Sequence, residues 1–159
     1  MIRQNFQQIA QVRLDDAQAL LDKNQYDGCC YLAGYCIELA LKAVACKLMG
    51  RDDFFSLARP ESVRAFKIHN LRELIILSGL WQQFEDLEIN DPLIFDNWSV
   101  ILNSIKWSEQ LRYEIGFTGL EARLTVEAIA HPQNGILKWI KNYWQLISNP
   151  LSKASKTTA

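Results

Sequence analysis

The segment Tyr31 to Leu48, reading YLAGYCIELALKAVACKL, constrains the fold more than any other part of this 159-residue chain. It contains no proline, and its only charges are Glu38, Lys42 and Lys47. At about 100° per residue, Tyr31, Tyr35, Glu38 and Lys42 fall on one line of a helix. Leu32, Cys36, Leu39, Ala43 and Cys46 form a wholly apolar line beside it. A helix that is apolar on most of its circumference belongs in the middle of a bundle. The charged stripe must then find partners inside the protein, because a lone buried charge costs several kcal/mol.

The length predicts one domain with an ordinary core, and 49% hydrophobic with 22% charged residues is a globular composition. A net charge of −1 excludes coating of nucleic acid through bulk positive charge and leaves only a local basic patch. The N-terminal MIRQNFQQIAQVRLDD has no apolar signal core, so a cytoplasmic protein is expected. Glu38 and Lys42 interrupt the most apolar stretch, and no membrane span is expected. Cys29, Cys30, Cys36 and Cys46 lie on one predicted helix, where disulfide geometry is hard to reach. With no CxxC pair and no nearby His, the reading is reduced core thiols, with no metal site and no cofactor.

Apolar positions Phe6, Ile9, Ala10, Ala17, Leu20 and Leu21 predict an amphipathic first helix over Asn5 to Lys23. Asn24 to Gly28 reads as a turn, with Asp27 as the N-cap of the central helix and Gly50 as its stop. Arg51 to Ile68 reads as irregular. Asn70 with Glu73 three residues on starts a third helix that Gly79 ends, and Trp81 to Leu87 adds a further turn or two. Asp91-Pro92 opens a long helix expected to run to about Tyr113. Gly116 to Gly119 breaks it, and a last helical region from Glu121 to Ile147 is divided at Pro132. Residues 1–148 thus form one domain, and the polar tail 149–159 is expected to be disordered. With no strand pattern, the fold class is all-α.

Five tryptophans are many for this length. Trp98 and Trp139, at helical spacing, read as core or dimer-interface residues rather than base-stacking platforms. Ile136, Trp139, Ile140, Tyr143 and Ile147 make an apolar stripe whose excess predicts a homodimer.

Ala17 to Leu21, Tyr26, YLAGYCIELALKA from Tyr31 to Ala43, HNLRELI from His69 to Ile75 and the late LRY from Leu111 to Tyr113 together resemble a HEPN domain. The likeness spans roughly residues 9 to 147. The resemblance implies an up-and-down bundle of four to five antiparallel helices, commonly dimeric. It further implies work with RNA, nucleotides or a partner nucleotidyltransferase, often in toxin–antitoxin or defence systems.

Active HEPN ribonucleases resemble one another in an Arg followed four to six residues later by His, and need no metal. Imidazole titrates near neutrality and guanidinium offers a fixed fork to phosphate, so these residue types suit ribose-hydroxyl attack. Here the matching spacing is Arg64 to His69, ahead of the third helix; the late position holds Leu111-Arg112-Tyr113 with no His in reach. The preferred reading is therefore a non-catalytic binding or regulatory module, with His69 fastening a loop. The alternatives are a metal-independent endoribonuclease using Arg64 and His69, and a structural dimerisation domain. For Glu38, Arg112 is expected to supply a bidentate partner across the bundle. Tyr31, Tyr35, Glu38, Lys42, Arg112 and Tyr113 then make either a polar core cluster or the lining of a ligand pocket.

Overall fold

A computed structural model describes residues 3–50 and 67–145. Helix α1 (Arg3–Asp22) buries Phe6, Ala10, Leu14 and Ala17, the stripe its spacing predicts. Its end is a Schellman motif: Asn24, at φ 58°, lets Gln25 N–H reach the Leu20 carbonyl at 2.8 Å. That turn sends the chain straight into α2 (Tyr26–Leu48), which lies back along α1.

Helix α2 begins earlier than the sequence suggests, and Asp27 is not its cap. Asp27 sits inside the first turn, and its Oδ1 accepts from the backbone N–H groups of Gly116 (2.9 Å) and Phe117 (2.8 Å). A residue that looks like local capping chemistry therefore holds a loop about ninety positions away. Asp27→Ala is expected to cost about 1–2 kcal/mol in urea denaturation, since two charge-assisted bonds vanish together. An unchanged midpoint would show that this loop is held by other means.

Gly50 at φ 63° and Gly79 at φ 74° close their helices as expected. Helix α3 (Leu71–Leu77) is capped by Asn70, whose side chain accepts from Glu73 N–H. Two short helices follow, α4 (Trp81–Glu85) and α5 (Leu87–Asn90). Asp91 caps α6 (Pro92–Ser99), with Pro92 at the position where its missing N–H is harmless. Thr118 and Glu121 form a reciprocal capping box at the start of α7 (Gly119–Ala130), and α8 (Ile136–Gln145) follows the turn around Pro132.

The expected long helix to Tyr113 is not formed. After Ser99 the backbone widens into a π-helical turn, Val100–Ser104, where Ile105 N–H bonds the Val100 carbonyl at 2.8 Å. Lys106 then takes φ 52°, and Glu109–Tyr113 is a separate 3-10 turn. No Gly or Pro marks this break in the sequence.

The described residues form eight α-helices and no strand, an all-α bundle. Helix α2 is its axis, packed by α1, α3, α7, α8 and the 3-10 turn. By length and apolarity α2 alone, among described residues, matches a membrane-crossing helix, yet 83% of its most apolar 18-residue stretch is buried inside the bundle. Trp98 and Trp139 meet edge to face in the core, with ring centroids 5.9 Å apart. Ile136, Trp139 and Ile140 are spent on the same core, and Trp144 Nε1–H donates to the Ala40 carbonyl. The α8 stripe read from the sequence as an excess for dimerisation is thus consumed within the chain; Ile147 lies outside the described residues, as does the tail 149–159. All four cysteines are free and buried, and burial pushes the Cys29 and Cys36 thiols up to about 12.

Candidate functional site

Glu38 is 1% exposed, in the middle of α2. Its Oε1 receives Lys42 Nζ at 2.6 Å, one turn along the same helix, and Lys42 is itself buried. Both carboxylate oxygens also face His69 Nδ1, at 3.0 and 3.1 Å. The other ring nitrogen, His69 Nε2, stands 3.0 Å from Glu109 Oε2 on the 3-10 turn. Four ionisable side chains from three parts of the chain therefore form one line: Lys42, Glu38, His69, Glu109.

The expected Glu38–Arg112 pair is not made. Arg112 is exposed on the 3-10 turn, its guanidinium 4.9 Å over the ring of Tyr113, which is 73% exposed. The reason is the break at Lys106: with the long helix interrupted, the 3-10 turn offers Glu109 rather than Arg112 towards the α2 network. Arg112 and Tyr113 therefore leave the proposed cluster. Tyr31, Tyr35, Glu38 and Lys42 remain on one face of α2, with the two tyrosine rings stacked at 6.1 Å. Burial, and then the Glu38 charge, raise the Tyr35 hydroxyl above its ordinary range. Arg64 lies outside the described residues.

Trp107 completes the wall. Its indole lies over Gly34, donates Nε1–H to the Tyr31 carbonyl at 3.0 Å and stacks on the Tyr31 ring. A Cβ at position 34 would collide with the indole, so Gly34 is required by close approach, not by backbone freedom.

Over this network opens a cleft of about 500 Å³ between residues 67–73 and 102–110. Its lining includes Lys67, Arg72, Lys106, Trp107, Glu73 and the two network members His69 and Glu109. Glu38 and Lys42 are a balanced pair. Among the side chains lining the cleft, three cations, Lys67, Arg72 and Lys106, outnumber the two carboxylates, Glu73 and Glu109. Arg72 also donates to Asn103 Oδ1 at 3.3 Å, while Lys67 and Lys106 make no ion pair among the described residues.

Such a site can hold an anion beside a partly exposed imidazole; the His69 side chain is 38% exposed against 1% for Glu38. It is less suited to general base work. Both ring nitrogens of His69 face carboxylates, Nδ1 towards Glu38 and Nε2 towards Glu109, so neither is turned freely into the cleft as a proton acceptor.

Residues 4–55 match the family model described as HEPN domain. The resemblance read from the sequence holds over this stretch, while His69–Ile75 and Leu111–Tyr113 lie outside the match. The match covers α1 and α2, so the buried Glu38 and Lys42 lie within the HEPN-matching helices, while His69, Glu109 and the cationic cleft lie beyond them. No curated protein and no solved structure matches the chain. The HEPN match supports a nucleotide- or RNA-related module in general.

Sequence reasoning found Glu38, Lys42 and His69 but missed Lys67, Arg72, Lys106, Trp107 and Glu109 as cleft residues. The missing signal was the break after Ser104. A long uninterrupted helix would have scattered residues 102–110 around its circumference.

Proposed function

We propose that this chain is a non-catalytic HEPN-type binding module whose cleft takes the phosphate of RNA or of a nucleotide. What best supports the non-catalytic reading is His69: both its ring nitrogens are engaged by carboxylates, so the histidine secures the cleft floor instead of serving as a base. The excess of cations above that floor supports phosphate as the ligand, even though the whole chain is slightly acidic.

The test uses a fluorescein-labelled single-stranded 12-mer RNA, read by anisotropy and, in parallel, by denaturing gel. Saturable binding is expected, with Arg72→Ala weakening it several-fold and lowering the salt slope by about one phosphate contact. Neither the native chain nor His69→Ala should cleave the RNA. Cleavage that disappears in His69→Ala would instead establish the metal-independent endoribonuclease. Absence of binding at about 100 µM protein would remove the phosphate reading, since even non-specific contacts act near that range.

Three further proposals come from the family resemblance: a homodimer, a nucleotidyltransferase partner, and a setting in toxin–antitoxin or defence systems. For the dimer, support now comes from exposed Leu93 and Leu124, which line one shallow groove, and from Leu120 one turn earlier on α7. Light scattering of the native chain and of Leu124→Lys tests it; a monomer in both discards it.

A further inference from the structure

Five described residues have positive φ, and four of them are the types that tolerate it: Asn24, Gly50, Gly79 and Gly116. The fifth is Lys106, at φ 52°. Its side chain gains nothing that explains the choice, since it forms no ion pair among the described residues and is exposed. The conformation is imposed from both sides. The π turn ends with Ile105 N–H on the Val100 carbonyl, and Trp107 N–H reaches back to the Ile101 carbonyl at 3.0 Å. Trp107 is in turn fixed over Gly34. A left-handed residue is therefore obligatory here, and a lysine supplies it less readily than glycine or asparagine would.

Strained conformations and π turns both concentrate at functional positions. Lys106 is also one of three cations lining a single cleft, with Lys67 and Arg72 on the opposite lip. We propose that Lys106 is a ligand-contacting residue, kept at a backbone position that disfavours it because its ammonium is needed at the cleft for a phosphate oxygen. This inference rests on the phosphate-binding reading above and names the residue that performs the contact. The phosphate oxygen could belong to an RNA backbone or to a free nucleotide, and the two probes below separate these sources.

The test pits stability against binding in the full chain. Lys106→Gly removes both the charge and the backbone penalty. Lys106→Asn removes the charge but keeps a side chain that accepts this φ, as Asn24 does elsewhere. Lys106→Arg keeps the charge and the penalty. Melting temperature is measured for each, with anisotropy on the labelled 12-mer RNA and on fluorescent ATP. Glycine and asparagine should raise the melting temperature, by roughly 2–4 °C for glycine, and weaken binding about five- to tenfold. Arginine should leave both near the native values. Weakening confined to the RNA assigns a backbone phosphate; weakening with ATP as well assigns a nucleotide phosphate.

Native-strength binding in both uncharged variants, with Arg72→Ala still impaired, would overturn the role of Lys106 and leave the cleft reading intact. A fall in melting temperature in both would also overturn it, by showing that the lysine is there for the fold. No binding of either probe by the native chain would sink the cleft reading itself.

Discussion

Replacing Glu38 with alanine is expected to cost the fold about 3–5 kcal/mol, a large share of what holds a domain of this size together. The carboxylate is 1% exposed and Lys42 is 7% exposed, so the substitution leaves an ammonium in the interior with nothing opposite it. It also releases His69 Nδ1, and with it the attachment of residue 69 to α2. The loss should appear as a lower urea midpoint. Two companions separate charge from shape. Glu38→Gln keeps the volume and one acceptor and should fall between the native chain and alanine. The double replacement Glu38→Leu with Lys42→Met removes both buried charges, and should recover most of the single-variant loss because well-packed apolar pairs match or exceed buried ion pairs. An alanine variant within about 1 kcal/mol of native would mean that water reaches Lys42 and that the network is not a buried one.

Gly34→Ala should be nearly as damaging although it adds a single methyl. The new Cβ would meet the ring atoms of Trp107, an indole that is 6% exposed and hydrogen-bonded to the Tyr31 carbonyl. Overpacking of this kind costs about 1–3 kcal/mol, and displacing the indole adds the lost hydrogen bond of about 1 kcal/mol. The cleft wall moves as well, so the RNA binding proposed for the cleft should weaken along with stability. Trp107→Leu made in the Gly34→Ala background should be less harmful than the two single losses added together, because the leucine leaves room for the methyl. Strict additivity would show that the indole does not press on position 34.

The helical class and most of the helix ends were legible because each rests on local chemistry. Asn70 and Asp91 cap the helices that follow them, and Gly50 and Gly79 close those that precede them. The burial of Glu38 was legible too, because a greasy α2 leaves its charges nowhere to go but inward. What could not be read was the partner. Residues 93–115 contain neither Gly nor Pro, so local propensity continues the helix, and that helix made Arg112 the natural counter-ion. The actual break is a tertiary effect: the Trp107 ring fits flat on a site that exists only because Gly34, more than seventy positions away, has no side chain. Asp27 failed for the related reason that a carboxylate near a helix start can serve a distant loop as readily as its own helix.

The widened turn at 100–104 turns chain length into a geometric parameter. Such a turn carries one residue more than the α-helical path over the same rise, so excising a single position there would restore the regular helical phase up to the left-handed Lys106. Every later side chain would then swing by about 100° about the axis. The indole would slide off its glycine, Glu109 would part from its imidazole, and the cleft above them would be dismantled, while the helices that make up the hydrophobic interior kept their own contacts. A one-residue difference in spacing between Trp98 and Trp107 is therefore enough to separate chains that share this interior from chains that share this site.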